Sequence, residues 1–81
     1  MQVKKMICLN SIDGVKEFVT KVSKYEFDMD LVHGRYVVDA KSIMGGFSLD
    51  LSKPIEFRIN ADANMQADVE RLLAELKDII V

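Results

Sequence analysis

The sequence predicts an α+β fold: an open-faced β-sandwich in which a four-stranded antiparallel sheet carries helices on one face, with the element order β-α-β-β-α-β-α. Three observations lead there. Segments 12–22 and 65–80 repeat apolar residues at helical spacing. Segments 27–31 and 55–59 alternate apolar and charged residues, the pattern of strands wetted on one side. Between two β-prone runs stands His33-Gly34, where a glycine lets the chain reverse tightly. Strands of this pattern bury one face and leave the other in water, so the helices belong on a single side.

Each element follows from its residues. Val3 to Leu9 is a short β-prone run, with Met6 and Cys8 facing opposite to Ile7 and Leu9. Asn10 and Ser11 offer capping oxygens to the first helix, where Ile12, Val15, Val19 and Val22 form the stripe and Phe18 widens it. Lys16, Glu17, Lys21 and Lys24 take its wet side, and Gly14 weakens its first turn by roughly 1 kcal/mol relative to alanine. Phe27, Met29 and Leu31 alternate with Asp28 and Asp30 in the second strand, and Arg35-Tyr36-Val37-Val38-Asp39 returns as the third. A short apolar helix is expected around 43–49. Lys53-Pro54 then turns the chain into the fourth strand, Ile55 to Ile59. Asp62 or Asn64 can cap the last helix, whose apolar stripe is Met65, Val69, Leu72, Leu73, Leu76, Ile79 and Ile80. The charged residues Asp28, Asp30, Glu56 and Arg58 are assigned to the solvated sheet face.

The chain of 81 residues reads as one domain, 1–81, with neither repeat nor linker. A hydrophobic fraction of 49% with 30% charged residues is that of an ordinary soluble globular protein. No signal peptide or membrane-spanning run is evident, and a single cysteine, Cys8, forms no internal disulfide, so a cytoplasmic protein without a membrane partner is expected. A net charge of −2 with no basic stripe argues against nucleic acid. One histidine and scattered carboxylates give no metal-ligand spacing, no phosphate-cradling glycine loop and no catalytic triad, so neither cofactor nor metal is expected. Cys8 reads as a buried strand thiol, and the five methionines as core filler.

The most informative stretch is Asp39-Ala40-Lys41-Ser42-Ile43-Met44-Gly45, continued by Ser48-Leu49. It resembles the Asn-Ala-Lys-Ser-Ile-Met-Gly of HPr, the small phosphocarrier of the bacterial sugar phosphotransferase system, and the element order over nearly the whole chain is similar to that family's. The resemblance implies an HPr-like fold and a serine, Ser42, that an HPr-type kinase phosphorylates. It also implies an apolar partner-docking patch at Ile43, Met44 and Phe47. Lys41 would neighbour the added phosphate. Read without the resemblance, Ser42 is a helix N-cap contributing on the order of 1 kcal/mol. The two readings are compatible.

The chain departs from the family at one place. Phosphocarriers hold Gly-Leu-His-Ala-Arg-Pro after the first strand, and its histidine accepts the phosphoryl group. Here the segment is Asn10-Ser11-Ile12-Asp13-Gly14-Val15, with neither histidine nor arginine. An unactivated serine hydroxyl is a poor nucleophile, and Asp13 repels an arriving phosphoryl group. The resemblance therefore implies a regulatory or adaptor module that has lost its catalytic histidine, akin to catabolite-repression homologues of HPr, with an HPr kinase or a phosphotransferase-system regulator as its protein partner. Two alternatives stand beside it. One is a working phosphocarrier that uses His33, with Arg35 nearby. The other is a small-molecule-sensing or structural module that keeps only the fold.

Overall fold

The computed structural model describes residues 1–45 and 51–81, and the backbone alone for 43–45. The chain forms an α+β structure with a four-stranded antiparallel open sheet and two helices. β1 (Gln2–Ile7) leads to α1 (Ile12–Val22), then to β2 (Asp28–His33) and β3 (Tyr36–Asp39). A 3-10 segment, Ala40–Gly45, follows; β4 (Ile55–Asn60), a single 3-10 turn (Ala63–Met65) and α2 (Gln66–Glu75) complete the fold. The strand order is β1-β4-β2-β3, with every neighbouring pair antiparallel.

The alternating pattern sorts the two sheet faces as expected. Met29, Leu31, Ile55, Phe57 and Ile59 are buried beneath the helices with Val15, Phe18 and Val22 of α1 and Val69 and Leu72 of α2. Phe18 meets Phe57 edge-on at 5.2 Å between ring centroids, joining α1 to the middle of β4. Among the described residues no polar or charged side chain is buried, so the core holds together by apolar packing alone.

The open face carries ordered rows instead. The registers align Lys4, Arg58, Asp30 and Asp39 across all four strands, and beside them Met6, Glu56, Val32 and Val37. Arg58 also pairs with Glu56 along its own strand.

Local sequence sets the turns. Ser11 is the N-cap of α1: its Oγ accepts the Gly14 N–H at 3.0 Å. Gly14 has a second reason to be glycine, since a Cβ there would stand 2.1 Å from the Leu9 carbonyl oxygen. Gly34 takes φ +60 at the first central position of the two-residue hairpin turn, where a side chain would be strained.

Four local expectations are corrected. The helix expected around 43–49 is a 3-10 segment, Ala40–Gly45, kinked at Ser42, and residues 46–50 lie outside the described residues. Neither Asp62 nor Asn64 caps α2; a 3-10 turn feeds the helix without a side-chain cap. α2 ends at Glu75, and Ile80 instead forms an isolated bridge to Ile7. Ile12 belongs to the predicted stripe of α1 but is 61% exposed, so the stripe buries only from Val15 onward.

Candidate functional site

The bend that leaves β3 gathers the residues singled out by the sequence. Ala40 is fully buried and pins the start of the 3-10 segment to the core. Asp39 turns its carboxylate back on the chain, Oδ1 accepting the Lys41 N–H at 2.9 Å. This is the local side-chain turn that aspartate forms readily. Lys41 is half-buried, and Ser42 is exposed at the kink, with φ −119 and ψ 16. The capping oxygen is therefore that of Asp39, three residues earlier than Ser42. That frees the Ser42 hydroxyl, which makes no hydrogen bond among the described residues. An aspartate two residues before a lysine N–H is the sequence signal for this turn.

The electrostatics of this corner are mostly negative. A concavity of about 280 Å³ is lined by Asp28, Asp30, Asp39, Lys41, Met29 and Asn60. Asp30 and Asp39 stand directly opposite each other across the β2–β3 ladder. Like charges so placed repel mildly. Ile43 and Met44 have no described side chains, and Phe47 falls outside the described residues, so the proposed apolar patch lies beyond the described surface.

The loop after β1 is engaged in structure. Besides the Ser11 cap, the Asn10 N–H donates to the Leu51 carbonyl at 2.9 Å, and Asn10 itself adopts φ 66, a left-handed conformation asparagine tolerates well. Cys8 is half-buried at this loop and not within the strand, its Sγ 3.1 Å from Asn10 Oδ1 and 3.6 Å from the Ser52 carbonyl.

His33 ends β2 and pairs with Tyr36 across the hairpin turn. Extending the β2–β4 register one residue beyond Val32 and Glu56 sets His33 level with Ile55, which is itself paired with Ile7. The histidine thus shares a sheet end with the loop after β1. It stands three residues along β2 from Asp30, the partner of Asp39, or roughly 10 Å in the strand direction. The structure therefore brings Asp39, Lys41 and Ser42 together and leaves His33 apart from them.

Elsewhere, polar contacts serve the fold. Glu75 accepts from Lys24 Nζ at 2.6 Å and from the Tyr25 hydroxyl at 2.7 Å, and its backbone carbonyl accepts from Lys21 Nζ at 2.9 Å. Burial, and next the Glu75 hydrogen bond, push the Tyr25 phenol up to about 12. The hydrogen bonds from Lys24 and then Tyr25 hold the Glu75 carboxyl below its ordinary range. No group of three or more metal-ligating side chains exists among the described residues, and no described helix is long and apolar enough to cross a membrane.

Fold and site together define an open-faced α+β domain with an exposed serine on the bend after its edge strand. No family model matches the chain, and neither a curated protein nor a solved structure does so.

Proposed function

We propose that the chain is an HPr-like regulatory or adaptor module of the phosphotransferase-system type, switched by phosphorylation of Ser42 and no longer a histidine phosphocarrier. The observation that carries the reading is the state of Ser42: exposed, at a backbone kink and relieved of capping by Asp39. A kinase needs a hydroxyl it can reach and a backbone that presents it. Transfer of the γ-phosphoryl group of ATP to Ser42 Oγ would add nearly two negative charges beside Lys41 and the carboxylates of Asp39 and Asp30. With one lysine against these acids, the phosphate is not clamped down. It acts as a surface signal, read by a partner that brings its own basic groups. The loss of carrier chemistry is supported by the loop after β1, where Ser11 spends its hydroxyl on the α1 cap.

The test is intact-mass spectrometry after two incubations, one with enzyme I and phosphoenolpyruvate, the other with HPr kinase and ATP. Wild type and Ser42→Ala are run side by side, with a genuine HPr as control. One phosphate added by the kinase alone, and absent from Ser42→Ala, is the expected result. Acid-labile phosphate arriving from enzyme I, lost on His33→Ala, would replace this reading with that of a working carrier. No added mass in either incubation, with the control labelled, would leave a domain that keeps the fold without the pathway. A thermal-shift screen of metabolites would then be the next step.

A further inference from the structure

The two edges of the sheet are treated differently. At the β1 edge, Lys4 and Lys5 place two charges in the strand, and the C-terminal segment covers part of its backbone. There the Cys8 N–H donates to the Ile79 carbonyl at 2.8 Å and the Val81 N–H to the Met6 carbonyl at 2.9 Å. Lysines and covering segments are the usual devices that stop an edge from pairing with another chain. β3, at the other edge, has neither among the described residues. It contains no lysine or proline, all four of its residues are exposed, and Tyr36 and Val37 are 65% and 58% exposed.

The hairpin fixes which backbone groups of this edge are free. In a two-residue turn the closing pair, His33 with Tyr36, exchanges hydrogen bonds, and the pairs alternate from there. Tyr36 and Val38 therefore spend their N–H and C=O groups on β2, while Val37 points both of its own outward and Asp39 its N–H, the Asp39 carbonyl opening the 3-10 segment. An antiparallel partner strand must consequently set outward residues opposite outward residues. Of the registers that do so, the one centred on Val37 places Arg35 opposite Asp39, Tyr36 opposite Val38 and Val37 opposite itself. A shift by two residues in either direction sets Arg35 against Lys41 or against Val37, losing the charge match. The sequence of this edge, Arg35-Tyr36-Val37-Val38-Asp39, is thus charge-complementary to its own antiparallel copy.

We infer that β3 pairs with the β3 of a second copy of this chain about a two-fold axis midway between the two Val37 residues, making one eight-stranded sheet. The rows of the open face continue across such a junction. Val32 and Val37 meet the partner subunit's Val37 and the partner subunit's Val32 in an unbroken apolar strip. Asp39, which faces Asp30 inside its own sheet, gains the partner subunit's Arg35 on its other side. Among the described residues Arg35 has no ion pair of its own to give up. The contact is short, so association is weak and concentration-dependent.

Sedimentation equilibrium from micromolar to millimolar chain is the test, with circular dichroism confirming that each variant is folded. Wild type is expected to rise from 9.2 kDa towards twice that mass. Arg35→Asp alone and Asp39→Arg alone each set like charges opposite each other twice, and each should weaken association by about tenfold or more. Mixed in equal amounts, the two variants face each other with opposite charges twice, and the mixture should recover association that neither shows alone. Val37→Pro removes an outward N–H without touching the β2 ladder and should also leave the chain monomeric. It serves as well should the Asp39 variant fail to fold for want of its turn. A mass that stays at 9.2 kDa throughout leaves the edge to some other strand and overturns the inference, as does self-association unmoved by Arg35→Asp and Val37→Pro.

Discussion

Glu75 and Asp39 are both carboxylates at the end of a secondary-structure element, and they are used in opposite ways. Glu75, closing α2, binds Lys24 and Tyr25 from the far end of α1, contacts separated by about fifty residues of chain. Asp39, closing β3, bonds only the N–H two residues onward among the described residues. The first ties the two helices over the core. The second shapes a bend and leaves Asp39 and Ser42 exposed. Among the described residues, Glu75 with Lys21, Lys24 and Tyr25 holds the helical layer shut, whereas the β3–Ser42 corner carries only the local Asp39 bond. A surface that contributes little to stability is one on which a partner or a modification can act without unfolding the domain.

The contrast breaks most sharply under truncation. Phe57 is fully buried, packed on Phe18, so Phe57→Ala should cost about 3–5 kcal/mol in urea-induced unfolding. Val37→Ala, on the open edge, should stay within about 0.5 kcal/mol at concentrations where the chain is monomeric. Similar losses at both positions would mean that β3 is part of the folding unit and not an uncommitted margin.

A smaller effect probes the loop after β1. Helix propensity alone makes Gly14→Ala stabilising by about 1 kcal/mol. The close approach of the Leu9 carbonyl reverses the sign, because the new methyl has to displace main chain rather than a flexible side chain. We expect Gly14→Ala to destabilise by about 1–3 kcal/mol, read as a lower urea midpoint at unchanged slope. A gain in stability would show that the loop yields freely.

Gly14 also marks where sequence reading stops. Its helical position was legible, and so was its cost in propensity, yet the carbonyl that forbids a side chain comes from a chain reversal that only the fold supplies. The regular elements were legible for a physical reason: alternation over 27–31 and 55–59 and the stripe of α1 each follow from burying one face. The four-stranded antiparallel sheet with helices on one face follows from the same periodicities. The ends were not. Ile79 and Ile80 continue the helical spacing of α2, but apolar spacing cannot distinguish a last helical turn from a segment that folds back to bridge Ile7. At the candidate site, Ser42 was found by its motif, whereas the role of Asp39 was hidden because serine and aspartate compete to cap the same turn. Exposure of the β3 edge was equally illegible, since the return strand of a hairpin can be central or last until the strand order places it.

The pH dependence of stability sharpens the comparison on its structured side. Tyr25, raised from its ordinary 10.0 to about 12, favours folding in its neutral form. That contribution is complete below pH 10 and is lost as pH rises through about 12. Glu75, held low, favours folding as the carboxylate. Its contribution is complete above the ordinary carboxyl range and is lost as pH falls through its lowered value. One cluster therefore contributes to both arms of the stability profile, and the two groups are coupled because each is the other's hydrogen-bond partner. Tyr25→Phe should cost about 1 kcal/mol at neutral pH and flatten the alkaline arm. It should also soften the acid arm, since Glu75 loses a donor that stabilises its charge. Glu75→Gln should remove the acid arm and leave a shallower alkaline one, because burial still raises the phenol when the carboxylate is gone. Urea midpoints measured across pH for the two variants separate these outcomes. An alkaline arm unchanged in Tyr25→Phe would show that the phenol is not its source, and the helix closure would then rest on the Lys24–Glu75 contact rather than on the phenol.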